Sequence, residues 1–182
     1  MTGFIEVGGR NVELTATFGT MLRYKQQFGI EYNDDIQRLH ALKENDDEYI
    51  TQTALVGIRL MWAMAKTADD RTPPPEIWAQ IFDKTDVMPL MIKAVALFNA
   101  SVGDTQNNEE PEDNDREEDD FSTEELAAIC IQCGISVVDL DRLTVGMVMK
   151  ILSSITDLRK PEKETSSNIR KATPADIERF FG

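Results

Sequence analysis

Asp104-Thr-Gln-Asn-Asn-Glu-Glu-Pro-Glu-Asp-Asn-Asp-Arg-Glu-Glu-Asp-Asp120 sets ten acids against one base, Arg116. Like charges at that density repel along the chain, and with no aromatic residue in the run there is little to bury against the entropy cost of ordering it. The run is expected to be a solvated, disordered acidic linker dividing the chain into two unlike halves. The 182 residues carry a formal charge of −14, of which −9 falls in this run. Such a length supports one domain of ordinary size plus a small unit, at roughly 100–200 residues per domain.

No stretch gathers Lys and Arg without interspersed acids, so a phosphate backbone is not an expected partner. The longest apolar run, Leu60 to Ala65, is far short of the roughly 20 residues that span a bilayer. The opening Met1-Thr-Gly-Phe-Ile-Glu has neither the basic head nor the long apolar stretch of a secretory signal. No membrane partner is expected, and the expected compartment is the cytosol. Two cysteines, Cys130 and Cys133, offer no disulfide framework.

In the first half, Phe4-Ile-Glu-Val7 and Val12-Glu-Leu-Thr-Ala-Thr17 alternate around Gly8-Gly9, the pattern of a β-hairpin with a tight positive-φ turn. A lone hairpin is marginal in water, so it should lie on the helices that follow. Gly19 and Gly29 bracket a helix over Thr20 to Phe28, and Asp34 and Asp35 open a second through Leu42. From Asp46 to Lys66, Ile50, Ala54, Ile58, Met61 and Ala65 recur at helical spacing, widened by Leu55, Trp62 and Met64. Thr72-Pro-Pro-Pro-Glu76 starts another helix with Ile77, Trp78, Ile81 and Phe82. The helix expected over Asp86 to Ala100 is apolar nearly all round, so it is either enclosed or covered by a partner.

Beyond the acidic run, Phe121-Ser-Thr-Glu-Glu125 forms a capping box with Phe121 as a hydrophobic staple, and Gly134 stops the helix it begins. After an Asp139-containing turn, Thr144 caps a helix bearing Val145, Val148, Met149, Leu152 and Ile155. Thr173-Pro-Ala-Asp176 caps a last short helix with Ile177, Phe180 and Phe181. The expected organisation is a mainly α-helical protein: 1–102, hairpin plus helical domain; 103–120, linker; 121–156, small helical module; 157–172, flexible segment; 173–182, short helix. The second half can bury only a thin core and is marginal alone.

No catalytic constellation emerges. His40 is the single histidine and is expected to face solvent, so no Ser-His or Cys-His pair forms except through it. Cys130-Ile-Gln-Cys133 has redox or half-zinc spacing but no second ligand pair, and it lies with Leu126 and Ile129 on an apolar face. Ordinary buried cysteines account for it. No cofactor or metal is expected, and Gly8-Gly9 precedes no helix that could receive a phosphate.

The stretch from the hairpin through Leu14-Thr-Ala-Thr-Phe18-Gly-Thr-Met-Leu-Arg-Tyr-Lys-Gln-Gln-Phe28-Gly-Ile-Glu-Tyr resembles the tail assembly chaperones of long-tailed bacteriophages and prophages. Phe121-Ser-Thr-Glu-Glu-Leu, the Gly134 break and Leu143-Thr-Val-Gly-Met147 look like the helical extension of the longer, frameshifted form in that family. The resemblance implies a non-enzymatic assembly factor of the bacterial host cytoplasm, absent from the mature virion. Its implied partners are the tape measure protein, which it would coat with self-association along that protein, and tail tube subunits recruited by the extension.

Apolar capture of a long helical partner calls for adaptable surface, for which Met61, Met64, Met88 and Met91, with Val95 and Phe98, are the candidates, together with Phe180 and Phe181. A chain cut at Asp104 is expected to keep partner solubilisation and lose tube assembly. Two other classes are open: a minor tail or connector component of the virion, and an acidic mimic of DNA that inhibits a host enzyme.

Overall fold

The structure, a computed structural model, describes residues 1–42, 47–82, 85–103 and 122–159. The acidic run and the segment bearing Phe180 and Phe181 lie outside the described residues. Strands β1 (Thr2–Val7) and β2 (Arg10–Thr15) pair antiparallel, with Val7 opposite Arg10 and Ile5 opposite Val12. Gly8 and Gly9 turn the hairpin at φ 56° and 74°, the left-handed pair that a two-residue turn matched to strand twist requires. Ile5, Val7 and Leu14 face inward, while Phe4 is exposed.

Helices α1 (Phe18–Phe28), α2 (Tyr32–His40) and α3 (Asp47–Ala68) follow. Gly19 lies inside α1, which starts two residues earlier than a glycine-bracketed helix would allow, because Thr20 braces the entry: its hydroxyl accepts from the Thr17 amide (3.1 Å) and donates to the Thr15 carbonyl (2.9 Å). Helix α3 is central. Val56, Leu60, Met61, Ala63, Met64 and Ala65 are buried on it, whereas Ile50 and Leu55 are exposed. The predicted stripe holds from Met61 to Ala65 but is rotated in the earlier turns, where Thr53, Val56 and Gly57 are buried, because the last turns are enclosed on several sides while the first project beyond the core.

After α3 the proline run is tied back by Trp62, whose Nε1 donates to the Pro73 carbonyl at 2.8 Å. The helix it starts is only one turn, α4 (Pro75–Trp78), continued as a 3-10 turn over Ala79–Phe82. Helix α5 (Met88–Val102) buries Leu90, Ala94, Phe98 and Ser101 and leaves Met88 and Ile92 exposed. Its apolar surface is therefore enclosed on one side only among the described residues.

Helices α6 (Thr123–Gln132), α7 (Val137–Leu140) and α8 (Val145–Arg159) complete the described chain. The capping box at α6 is present, with the Glu125 carboxylate accepting from the Ser122 amide at 2.9 Å. Helix α8 continues through Arg159, so residues 157–159 are helical and not part of a loose segment.

These helices dock on the first half, and the two halves do not stand apart. Phe18, fully buried, sits among Cys130, Leu140 and Val148. Helix N-termini leave orphan amides, and two of them are satisfied across the interface: Phe18 N donates to the Leu143 carbonyl at 2.9 Å, and Thr123 N to Glu31 Oε1 at 3.2 Å. Thr123 Oγ1 also donates to Glu31 Oε2 at 2.5 Å. Arg23 forks onto both Asp141 oxygens at 2.5 and 3.1 Å. Close approach depends on glycine: a Cβ at Gly19 would lie 2.0 Å from Asp141 Oδ1, and one at Gly146 would lie 2.2 Å from the Val102 carbonyl oxygen.

Burial would raise the Glu31 carboxyl, but the bonds from the Thr123 hydroxyl and amide, with Lys25 nearby, outweigh it and hold the group below its ordinary value. A depressed folded-state value contributes stability that is present above the unfolded value, about 4.3, and is lost as pH falls through the folded one. Amide exchange at the start of α6 is therefore expected to accelerate as pH drops below that range, after correction for intrinsic rates. Glu31→Gln should lose that part of the acid dependence; an unchanged profile would show that Glu31 does not anchor α6.

Candidate functional site

An apolar groove opens between α2, α3 and α5, with a volume of about 190 Å³. Tyr32, Ile36 and Leu39 line one side, Thr53, Val56, Gly57 and Leu60 the floor, and Met91 and Val95 the other wall. Its depth is set by Gly57, where a Cβ would meet Met91 Sδ at 2.4 Å. Glycine in the interior of a helix costs about 1 kcal/mol relative to alanine, and here it lets Met91 lie against the α3 backbone. A cavity of about 150 Å³ lined by aliphatic side chains holds a benzene-sized group, so this groove can receive one aromatic ring or a pair of aliphatic side chains.

The floor carries an unspent polar group. Thr53 is buried, and its hydroxyl has no hydrogen-bond partner. His40 and Tyr49 stand at the groove as well, His40 exposed to solvent as its sequence neighbours suggested.

Behind α2 the wall is held by a buried polar cluster. Asp35 Oδ2 accepts from the Tyr24 hydroxyl at 2.6 Å and from Arg59 Nη1 at 2.9 Å. Burial, followed by the hydrogen bond to Asp35, pushes the Tyr24 hydroxyl well above its ordinary range, so it remains a donor. Tyr24 and Phe98 both meet Tyr32 edge-on, at centroid separations of 5.7 and 5.0 Å. Such pairs fix the orientation of the ring that forms the end of the groove.

The residues expected to meet a partner divide. Met91 and Val95 come together on the groove wall, and Met88 is exposed at the start of the same helix. Met61, Met64 and Phe98 are corrections: Met61 and Met64 are fully buried and Phe98 is 4% exposed, so they pack the core. The reason is that α3 is enclosed all round from Leu60 to Ala65, so both methionines lie in the core. Phe180 and Phe181 lie outside the described residues. The α2 side of the groove was not anticipated, and the one signal for its floor was Gly57, an isolated glycine within a long helical pattern.

No group of His, Cys, Asp and Glu among the described residues could hold a metal ion. Cys130 is buried and its thiol is pushed up by burial and then by Cys133, the behaviour of a packed cysteine and not of a thiolate nucleophile. No described helix is long and apolar enough to cross a membrane. Compared with protein-family models, curated proteins and solved structures, the chain matches none.

Proposed function

We propose that this protein is a non-enzymatic tail assembly chaperone of a long-tailed bacteriophage or prophage, and that the α2–α3–α5 groove captures apolar side chains of the helical tape measure protein. The observation that carries the proposal is an open apolar groove walled by Met91 and Val95, continuous along α5 with exposed Met88 and Ile92. An amphipathic helix binds such a groove through anchors at i, i+3, i+4 and i+7. A flexible thioether on the wall lets one groove accept a succession of different side chains along a long partner. The resemblance of Leu14 to Tyr32 to the family supplies the partner's identity. The extension from Phe121 would recruit tail tube subunits, and the acidic run would keep a coated complex soluble by repulsion.

Co-expression with the long coiled-coil protein encoded beside this one tests the proposal. The expected result is that the partner enters the soluble fraction only when this chain is present, and co-purifies with several copies of it. A partner that is soluble alone and does not co-purify would contradict the chaperone role. Detection of this chain in finished particles would favour a structural tail component instead.

A further inference from the structure

We propose that, in the protein free of its partner, the groove is occupied by the chain's own segment Thr173 to Phe181, with the ring of Phe180 or Phe181 in the cavity. The inference rests on the groove as an acceptor of apolar side chains and adds an internal competitor for it. Four observations converge. The groove holds about 190 Å³ and is open along α5, a volume suited to one phenyl ring. No described side chain fills it, and the Thr53 hydroxyl on its floor is unpartnered.

The described chain then leaves the segment within reach of the groove. Helix α8 starts against the end of α5, where Gly146 meets Val102 and Gly103, and α5 is the helix that carries Met91 and Val95. Helices α5 and α8, each of 15 residues, are about 22 Å long at 1.5 Å per residue, about 45 Å end to end, whereas residues 160–176 can span up to about 55 Å. The segment therefore reaches the groove wherever α8 ends.

The composition of 160–182 completes the case. Ile177, Phe180 and Phe181 are its one apolar cluster, spaced i, i+3, i+4 as a helix-in-groove ligand requires. Lys160, Lys163, Arg170, Lys171 and Arg179 against Glu162, Glu164, Asp176 and Glu178 give this stretch +1, so the other 159 residues carry −15. Of this, −9 falls in 104–120 and −6 on the remainder, and a mildly basic tail is drawn to an acidic body. Tethering also gives a short segment a local concentration of order mM, so occupation by the chain's own segment is favoured over that by a second copy at ordinary concentrations. The partner, entering with many anchors in series, displaces it.

The test is photo-crosslinking in the full chain, purified without any partner, with p-benzoylphenylalanine in place of Phe180 and, as control, in place of Ser167. The expected product from position 180 has monomer mobility, with its crosslinks mapping to α2, α3 or Met91 and Val95 of α5. Its yield should exceed that from position 167 several-fold and fall several-fold on adding Val95→Gln. Crosslinks confined to other surfaces, a dimer-sized product, or equal yields from the two positions would overturn the proposal. Failure of the tape measure protein to co-purify would leave these crosslinks unchanged, so the two proposals fail separately.

Discussion

Phe18→Ala is expected to release helices α6 to α8 from the first half and to lower stability by about 3–5 kcal/mol, the usual cost of removing a buried phenyl ring. Among the described residues Phe18 is the completely enclosed side chain that the first half contributes to the cluster with Cys130, Leu140 and Val148, with Leu22 packed beside it. Its loss leaves the partly buried Leu22, the Arg23–Asp141 ion pair, the Thr123–Glu31 hydrogen bonds and the approach of Gly146 to Val102 to hold the interface, and a partly exposed ion pair contributes at most about 1 kcal/mol. Hydrogen exchange resolved by segment is the appropriate readout. Faster exchange across 123–159 with α3 unchanged is the expected pattern, while uniform loss of protection would show that the chain unfolds as one unit. Phe4→Ala is a size-matched control, because Phe4 is 66% exposed and such sites change stability by no more than about 0.5 kcal/mol.

Asp35→Ala is expected to cost about 3 kcal/mol and to loosen the α2 wall of the groove. The substitution removes the acceptor for both the Tyr24 hydroxyl and Arg59 Nη1. A buried hydroxyl left without a partner costs about 1–3 kcal/mol, and loss of a bond to a charged group about 1.5–3 kcal/mol. Arg59 can turn partly to solvent, which keeps the sum near the lower end. Tyr24→Phe added to Asp35→Ala should then cost less than Tyr24→Phe alone, since the orphaned hydroxyl is gone. Strict additivity in denaturant titrations would mean that Tyr24 and Asp35 do not act together.

Local features of the fold were legible in the sequence because they are written in neighbouring residues. Gly8-Gly9 between alternating strands required the hairpin, and Ser122 with Glu125 required the start of α6. What escaped prediction depends on residues far apart in the chain. Glu31 and Thr123 are 92 positions apart, and Arg23 and Asp141 118, so no periodicity could announce that these groups would pair across one interface. The acidic run divides the chain into two halves, yet charge repulsion within a connection says nothing about the affinity of the units it joins. Helix α3 was foreseen in extent but not in rotation: spacing assigns an apolar stripe, and a helix surrounded on several sides has no single one. That is why Met61 and Met64 looked available for a partner and are not.

Docking also changes how the function has to be tested. A chain cut at Asp104 uncovers Phe18 and leaves the Phe18 and Glu31 partners missing, so loss of partner solubilisation in that truncation would not locate the binding surface. Substitution on the groove wall avoids this difficulty. Val95 is half-buried, lines the groove opposite α2, and packs against the core of the first half and not the cluster around Phe18.

The most direct measurement is therefore co-expression of the tape measure protein with the Val95→Gln variant, after circular dichroism and a thermal melt have shown the variant folded. The groove account predicts that the partner moves to the insoluble fraction and no longer co-purifies, while the variant itself stays soluble at wild-type yield. Undiminished capture by the folded variant would contradict the assignment of partner binding to the α2–α3–α5 groove.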